Sequence, residues 1–550
     1  MELINKYLPL IKKNMPKISK WFIISILSVI FSIVLPYIVG KYLDVIVEKR
    51  TTDIYLYTLS FLIVAIISVI LMYIENMIYV KLSNIIIYQL KLKVFSNIYE
   101  IPINNLNQFE PSYITRKVDM DSNTLVNFIF HFFSSVFINI FKLFIIIGII
   151  YKINSKILFI ILITLPIYIL IYYLFKKPLY EKGYLFREKN NEFFSTQNEQ
   201  MKLMKTLKMN CIYKYFKDRL DKKFHEFFLT LVGYYKTNTI YSSISSLAKN
   251  FSLVLLLFYG GFEIIKGRLS IGEFTIINNY YGSLIGIVLT WLEFGKTYQE
   301  AKVADSRISY YFNEKKDVNG NIKLNEINSI VIKDIKVGYD DKNFLFEIPY
   351  YEFKKGKIYN IVGDNGTGKS TFIDIIIGLN QRYQGEILFN NIKIKQLDMY
   401  YIRKKKLGIV DQFPVIFKDT IEKNIVFDEI SYISRIKDFS KDILDSFFIE
   451  KHLNYTNKSS NKELVNMSGG EKQKLGIIRA MIKRPGILIL DEPTASLDEQ
   501  SILRIKKYLN QIKKDKIIII VSHDRSIQVI SDEIIDFNYY CLSITSNNID

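Results

Sequence analysis

The first three hundred residues carry six apolar stretches, at 21–39, 55–73, 128–151, 157–174, 240–265 and 274–292. Each is close to the roughly 20 residues that a helix needs to cross ~30 Å of hydrocarbon. In that medium an unpaired backbone amide or carbonyl has no water to bond, so a spanning segment must close its hydrogen bonds internally. The N-terminal half is therefore predicted to be an all-α transmembrane bundle of six spans. A lysine-bearing segment (Lys6, Lys12, Lys13, Lys17, Lys20) precedes the first stretch, which starts too late and runs too long for a cleavable signal. It is read as a retained span.

Charge sets the orientation. The links after the first, third and fifth stretches are short, whereas those after the second and fourth are long and basic. The link at 176–236 carries Lys176, Lys177, Lys182, Arg187, Lys202, Lys205, Lys208 and Lys214. Because Lys and Arg accumulate on the inner side, both long links and both termini are expected in the cytoplasm, with the chain in the cell membrane. The formal net charge of +19 would also suit a nucleic-acid partner. The surplus cations flank the apolar stretches, however, so the partner they indicate is the lipid bilayer and no nucleic acid is expected. Within the long links, Leu203, Leu207, Cys211, Tyr213 and Phe216 recur at helical spacing, so the membrane helices are predicted to continue into the cytosol. The segments 105–113 and 199–210 are the turns expected at their far ends.

Hydrophobic residues make up 49% of the chain and charged residues 23%, a combination that a division into an apolar and a charged half explains. A polar stretch at 313–325, with the turn signal Asn319-Gly320, marks the divide. We read a transmembrane domain at 1–312, a linker at 313–327 and a second domain at 328–550. In the second domain, strand-like runs at 330–337, 357–362, 486–490 and 516–521 alternate with helical patterns, which predicts an α/β domain around a largely parallel sheet. Cys211 and Cys541 are too far apart in sequence, and too bare of neighbouring ligands, to suggest a disulfide framework or a zinc site.

The run Gly363-Asp364-Asn365-Gly366-Thr367-Gly368-Lys369-Ser370 follows a strand and opens a helix, as a phosphate-binding P-loop does. Its glycines let backbone N–H groups wrap phosphates, Lys369 supplies a cation for the β- and γ-oxygens, and Ser370 can ligate Mg²⁺. Gly363, Asn365, Gly366, Gly368, Lys369, Ser370 and Thr371 are thus candidate ATP contacts. The apolar run 487–490 ends in Asp491-Glu492, so a buried strand delivers two carboxylates to the phosphate end of the sheet. Asp491 is expected to hold Mg²⁺, and Glu492 to act as general base on the attacking water.

Met467-Ser468-Gly469-Gly470-Glu471 resembles the signature motif of ABC transporter ATPases, and other marks of that family fall in order around it. The chain resembles an exporter-type half-transporter: a six-span membrane domain fused to a C-terminal ABC ATPase domain. Gly272-Glu273-Phe274 and Ala304-Asp305-Ser306-Arg307-Ile308, around the last stretch, extend the likeness to the membrane half. The resemblance implies that Tyr339 stacks on adenine and that Gln412 is the Q-loop ligand of Mg²⁺ and a catalytic residue. It further implies that Asp498 lies in the D-loop and that His523 is the switch histidine. It also implies that two ATPase domains close head to tail, with Ser468, Gly469 and Gly470 of one completing the phosphate site of the other. The partner would be a second half-transporter, identical or a paralogue.

Three departures stand out. Glu471 occupies a position where Gln is most usual, and so brings negative charge near a composite phosphate site. The stretch 457–466 lacks the Gly-rich pattern of exporters, and the small C-terminal element is expected to be short, since no glycine follows Gly486. The activity implied is ATP-driven export of a hydrophobic drug, lipid or peptide. The alternatives are a membrane-anchored regulator or resistance protein that moves nothing, and an importer on the same frame. Glu492 and His523 favour turnover, because a nucleotide sensor needs no general base. Within the third span, Lys142 sits among apolar neighbours with no counter-charge nearby in sequence. A lysine at that depth is expected to line the central cavity, where an anionic substrate group or a carboxylate such as Glu293 could meet it.

Overall fold

The computed structural model describes residues 2–106, 111–338, 344–427 and 467–541. Tyr339 and the stretch 457–466 lie outside them. The chain divides into two compact units, Met1–Ser96 with Pro111–Asn313, and Asn97–Glu110 with Glu314–Asp550.

The first unit is helical. A short α1 (Glu2–Lys13) leads into α2 (Met15–Val47) and α3 (Thr51–Ile98). After α4 (Ile103–Leu106), which belongs to the second unit, come α5 (Pro111–Phe133), a π-turn (Ser134–Ile138) and α6 (Asn139–Ile153). The remainder is α7 (Ser155–Lys202), α8 (Met204–Asn210), α9 (Tyr213–Ile265) and α10 (Ile271–Asn313). At 1.5 Å per residue the 48-residue α3 and α7 are each about 72 Å long, more than twice the hydrocarbon thickness, so they run far past the bilayer.

Among the described residues, five helices are long and apolar enough to span: α2, α3, Ile114–Ile153 across α5 and α6, α7 and α9. The sixth expected span is α10. It has the length, at 43 residues, but Asn278, Asn279, Tyr280 and Tyr281 dilute its apolar run. The break between α7 and α9, residues 203–212, overlaps the expected turn 199–210, and Cys211, just past it, takes a left-handed conformation (φ 53°) that ends α8.

Packing in this unit depends on close backbone approach. A Cβ on Gly272 would lie 1.9 Å from the Gly40 carbonyl oxygen, so α2 and α10 touch backbone to backbone, as small residues allow in membranes. Asp44 accepts a hydrogen bond from the Gly272 N–H (2.8 Å) and holds the start of α10 in place. Toward the middle, Ile146 and Ile150 of α6 meet Ile157 and Ile161 of α7 and Ile276, Ile277, Tyr280 and Tyr281 of α10 in one buried cluster. In the extensions beyond their apolar stretches, α7 and α9 are joined by stacked rings (Phe186 on Tyr234 at 5.6 Å, Phe193 on Phe227 at 5.6 Å). A charge quartet of Lys189, Glu192, Lys223 and Glu226 adds ion pairs of 2.9 to 3.5 Å.

In the second unit, β3 (Ile358–Val362), β6 (Leu407–Val410), β7 (Ile487–Asp491), β8 (Ile517–Val521) and β9 (Glu533–Asp536) form a parallel sheet in the order β6-β7-β8-β3-β9. The run Ile517–Val521 is buried at every position, which is how a strand covered on both faces reads. A separate antiparallel sheet adds β1 (Ser329–Gly338), β2 (Phe344–Lys354), β4 (Gln384–Phe389) and β5 (Ile392–Lys393), ordered β2-β1-β4-β5. The sequence pattern did not reveal this sheet beyond β1, because β2 and β4 interleave Glu347, Glu352 and Glu386 with their apolar residues. Of the expected turn 105–113, residues 107–110 lie outside the described set. Just ahead of them, Asn104 donates to Asn380 (2.6 Å), Asn105 donates to Glu314 (2.8 Å), and Arg382 bonds Asn105.

Adding a methyl at the α2–α10 contact tests this packing. Gly272→Ala should lower the thermal unfolding midpoint of the purified protein, with a cost of about 1–3 kcal/mol from forced separation. Gly148→Ala, where a Cβ meets nothing within 4 Å, should leave it unchanged.

Candidate nucleotide site

In a parallel sheet, ligands bind beyond the carboxyl ends of the strands. Three of the candidate segments leave the sheet there: the P-loop after β3, Asp491-Glu492 at the end of β7, and Ser522-His523 after β8. Gln412 follows the end of β6 by two residues.

The P-loop conformation requires its glycines, since Gly363, Gly366 and Gly368 take φ values of 145°, 87° and 96°. A Cβ on Gly368 would also lie 2.7 Å from the Phe346 ring. Lys369 curls back over the loop and donates to the carbonyls of Gly363 (2.5 Å) and Asp364 (2.8 Å), while Thr367 donates to Asp364 (2.9 Å). Asn538 accepts from the Asp364 N–H (3.0 Å) and ties the loop to the segment after β9. The helix that follows, Lys369–Ile376, starts from Gly368 with no side-chain cap. Its first N–H groups, including those of Ser370 and Thr371, are thus available to an anion, and the loop fits the phosphates of ATP.

The opposite side of the site is acidic. Burial raises the carboxyl of Asp374 to about 6, helped by the neighbouring charges of Asp411 and Asp491. Asp491 is likewise held above the usual carboxylate range, by burial and then by Glu492 and Asp411, with Lys369 pulling the other way. Among the described residues no three His, Cys, Asp or Glu side chains converge as a metal cluster, so a cation here would rest on Asp491, Ser370 and Gln412 together with phosphate oxygens. Glu492 takes the left-handed region (φ 46°), rare for a residue with a side chain, and its N–H bonds the Val521 carbonyl (2.9 Å). Gln412 and His523 are exposed, and Tyr339 is outside the described residues.

Ser468, Gly469, Gly470 and Asp498 form a second group. Ser468 caps the helix Gly469–Met481 in a reciprocal box: its hydroxyl accepts from the Glu471 N–H (3.3 Å), and its own N–H donates to the Glu471 carboxylate (2.7 Å). Glu471 is therefore engaged at the helix start, the role Gln would also fill at this position of a capping box. A Cβ on Gly470 would fall 2.5 Å from the Ser496 carbonyl oxygen, so the signature packs directly on the loop leading to Asp498. Asp498 in turn caps the helix Glu499–Ile512 through Ser501 and pairs with Lys474 at 3.8 Å.

Sequence reasoning missed several participants. Asp374 and Asp411 carry no motif and become neighbours of the site only through the fold. Fully buried Asn424 binds both the N–H and the carbonyl of Phe417, and Arg479 donates to the carbonyls of Asn424 (2.7 Å) and Val415 (3.0 Å). Together they fix the chain just after Gln412.

Fold and site together define a P-loop ATPase unit joined to a helical membrane bundle. Residues 18–288 match the model of the ABC transporter transmembrane region, and residues 349–495 match that of the ABC transporter ATPase. The chain is 24% identical to ABC transporter B family member 1 of Dictyostelium discoideum, over 97% of this chain and 60% of that protein. It is also 24% identical to the leukotoxin translocation ATP-binding protein LktB of Mannheimia glucosida, over 96% of this chain and 75% of the relative. It thus spans less than two thirds of the Dictyostelium relative. In fold it is similar to a bacterial Atm1-family ABC exporter solved with ATP bound, with a TM-score of 0.80, 17% identity, and coverage of 95% of this chain and 94% of that one. The chain belongs to the ABC transporters, as an integral membrane protein of half-transporter, exporter-type architecture with an ABC ATPase domain.

Two outcomes follow for the site. Glu471→Gln should keep both capping bonds and near-normal hydrolysis, whereas Glu471→Ala should cost about 1 kcal/mol at the helix start and lower kcat while leaving nucleotide Kd unchanged. Parallel rate and binding titrations check this. For Asp374, a folded-state pKa above the unfolded one means that stability falls as pH rises from about 4 to about 6 and stays reduced above that. In metal- and nucleotide-free protein, Asp374→Asn should therefore raise the unfolding midpoint at pH 7.5, and the gain should shrink below pH 6. A midpoint measured across that range reports it.

Proposed function

We propose that this chain hydrolyses MgATP at the carboxyl ends of its parallel strands, as one half of a dimer, and uses the cycle to export an amphiphilic or hydrophobic molecule across the cell membrane. The single observation that supports this most is the convergence of the P-loop, Asp491-Glu492, Gln412 and His523 at one end of a sheet whose chain is fused to the bundle. The division into a transmembrane domain at 1–312, a linker at 313–327 and an ATPase domain at 328–550 belongs to this reading, as does a cytoplasmic ATPase domain. The relatives named for toxin translocation and for an ATP-bound exporter support the direction of transport.

In this reading Lys369 and the P-loop N–H groups orient the β- and γ-phosphates, and Ser370, Gln412 and Asp491 hold Mg²⁺. When bound, the metal neutralises charge on the phosphate oxygens. Glu492 takes a proton from water as the water oxygen bonds to the γ-phosphorus, and the bond from that phosphorus to the bridging oxygen breaks, with the electron pair leaving on ADP. His523 orients the γ-phosphate. Ser468, Gly469 and Gly470 of the second half-transporter, identical or a paralogue, supply helix N-terminal donors to the same phosphate. Adenine stacks on Tyr339.

Purified protein in lipid tests this directly. Glu492→Gln should bind ATP with wild-type affinity yet lose at least about a hundredfold in turnover, since the amide cannot accept the proton. Lys369→Ala should instead weaken binding itself, and His523→Ala should slow turnover with binding kept. Near-normal turnover in Glu492→Gln would remove this residue from the role of base.

A further inference from the structure

Gln412 stands on a short excursion of the chain. It is exposed, and no hydrogen bond of its side chain is present among the described residues, so its place depends on the backbone to either side. Both sides rest on one element, the signature helix Gly469–Met481. Ahead of Gln412, Val410 ends β6, and a Cβ on Gly476 of the helix would lie 3.5 Å from the Val410 side chain. Behind it, the same Cβ would lie 2.9 Å from the Pro414 ring, closer than side chains pack, so a glycine is what lets Pro414 seat on the helix. Between these two supports lie three residues, Asp411, Gln412 and Phe413, all exposed.

The support continues downstream. About one turn further along the helix, Arg479 donates to the carbonyls of Val415 (3.0 Å) and Asn424 (2.7 Å), and a third N–H meets the Asn424 side-chain oxygen at 3.4 Å. Asn424, with no exposed surface, accepts from the Phe417 N–H (2.8 Å) and donates to the Phe417 carbonyl (3.0 Å). The rings of Phe417 and Phe427 lie 5.9 and 5.0 Å from the guanidinium carbon. A planar fork of five N–H donors can hold two carbonyls and an amide oxygen at once, whereas a lysine ammonium offers no such fixed directions. These acceptors are neutral oxygens of the segment itself, so the bonds set the course of the chain. A buried polar network of this kind is rigid only while every member is present.

We propose that Arg479, with Asn424 and Gly476, positions Gln412. The signature helix then has a second task, within its own domain: it holds 410–417 so that the Gln412 side chain stays at the carboxyl end of β6. This rests on the role given to Gln412 in the proposed function and adds the residues that place it. Arg479 acts through Gln412 and is a positioning residue, since its donors are spent on the segment.

The test is a double-mutant cycle on the full chain in nanodiscs, read as kcat and nucleotide Kd, with hydrogen exchange across 411–417 measured without nucleotide. Arg479→Lys should lower kcat about tenfold with Kd unchanged, and exchange across 411–417 should quicken about tenfold while β7 and β8 stay protected. In a Gln412→Ala background, Arg479→Lys should cost less than about a further twofold, because the residue it places is gone. Gly476→Ala favours the helix but displaces Pro414, so it should give the same non-additive loss by an independent route, and it serves where Arg479→Lys does not fold. A loss from either variant that multiplies in full with that of Gln412→Ala, or exchange across 411–417 that neither variant changes, overturns the proposal. Wild-type turnover in Gln412→Ala would count against the catalytic role of Gln412 alone, because exchange reports the placement of the segment without hydrolysis.

Discussion

Backbone hydrogen bonds that cannot be left open in hydrocarbon govern this protein. They force the N-terminal half into unbroken helices, and the same helices, once started, persist well past the bilayer. The aromatic stacks and charge quartet between α7 and α9 keep that pair from separating outside the membrane, where hydrocarbon no longer enforces helicity. The result is a set of rods more than twice as long as the hydrocarbon layer is thick. Where the constraint is met by other means, the helices deviate: the π-turn at Ser134–Ile138 sits where Trp291 donates to the Ser135 carbonyl.

The nucleotide site works on charge imbalance. Burial and neighbouring carboxylates hold Asp374 and Asp491 above their usual range, with Lys369 opposing the shift at Asp491 alone. A cation bound beside them would lower that cost and so couple its binding to local stability. Glu471 adds a further negative charge at the signature, but its carboxylate is bonded to the Ser468 N–H and acts as a helix cap.

Much of this was legible in the sequence. Long apolar stretches report helices because bilayer thickness is fixed, and the P-loop reports phosphate binding because only glycines adopt its backbone. Buried runs such as Ile517–Val521 announce central strands. Less legible were features that arise from packing between distant segments. The antiparallel sheet escaped notice because β2 and β4 mix charge with apolar residues, and the polar face of α10 was not distinguished within the apolar stretch 274–292. Asp374 and Asp411 become site residues only when β6, β7 and the P-loop helix are brought side by side. The capping box was readable from Ser468-Gly469-Gly470-Glu471, although attention to the glycines hides it.

The central claim of the proposed function is that ATP binding by a pair of half-transporters changes the arrangement of the membrane-derived helices. Cys211, exposed at the turn after α8, offers a native reporter once Cys541 is replaced by Ala. With a nitroxide on Cys211, double electron–electron resonance in nanodiscs reads one distance where the partner is a second copy. The account predicts that ATP with vanadate shifts this distribution in the otherwise wild-type protein and leaves it unmoved in Lys369→Ala. A distribution that ATP and vanadate do not alter in nucleotide-binding protein would contradict it.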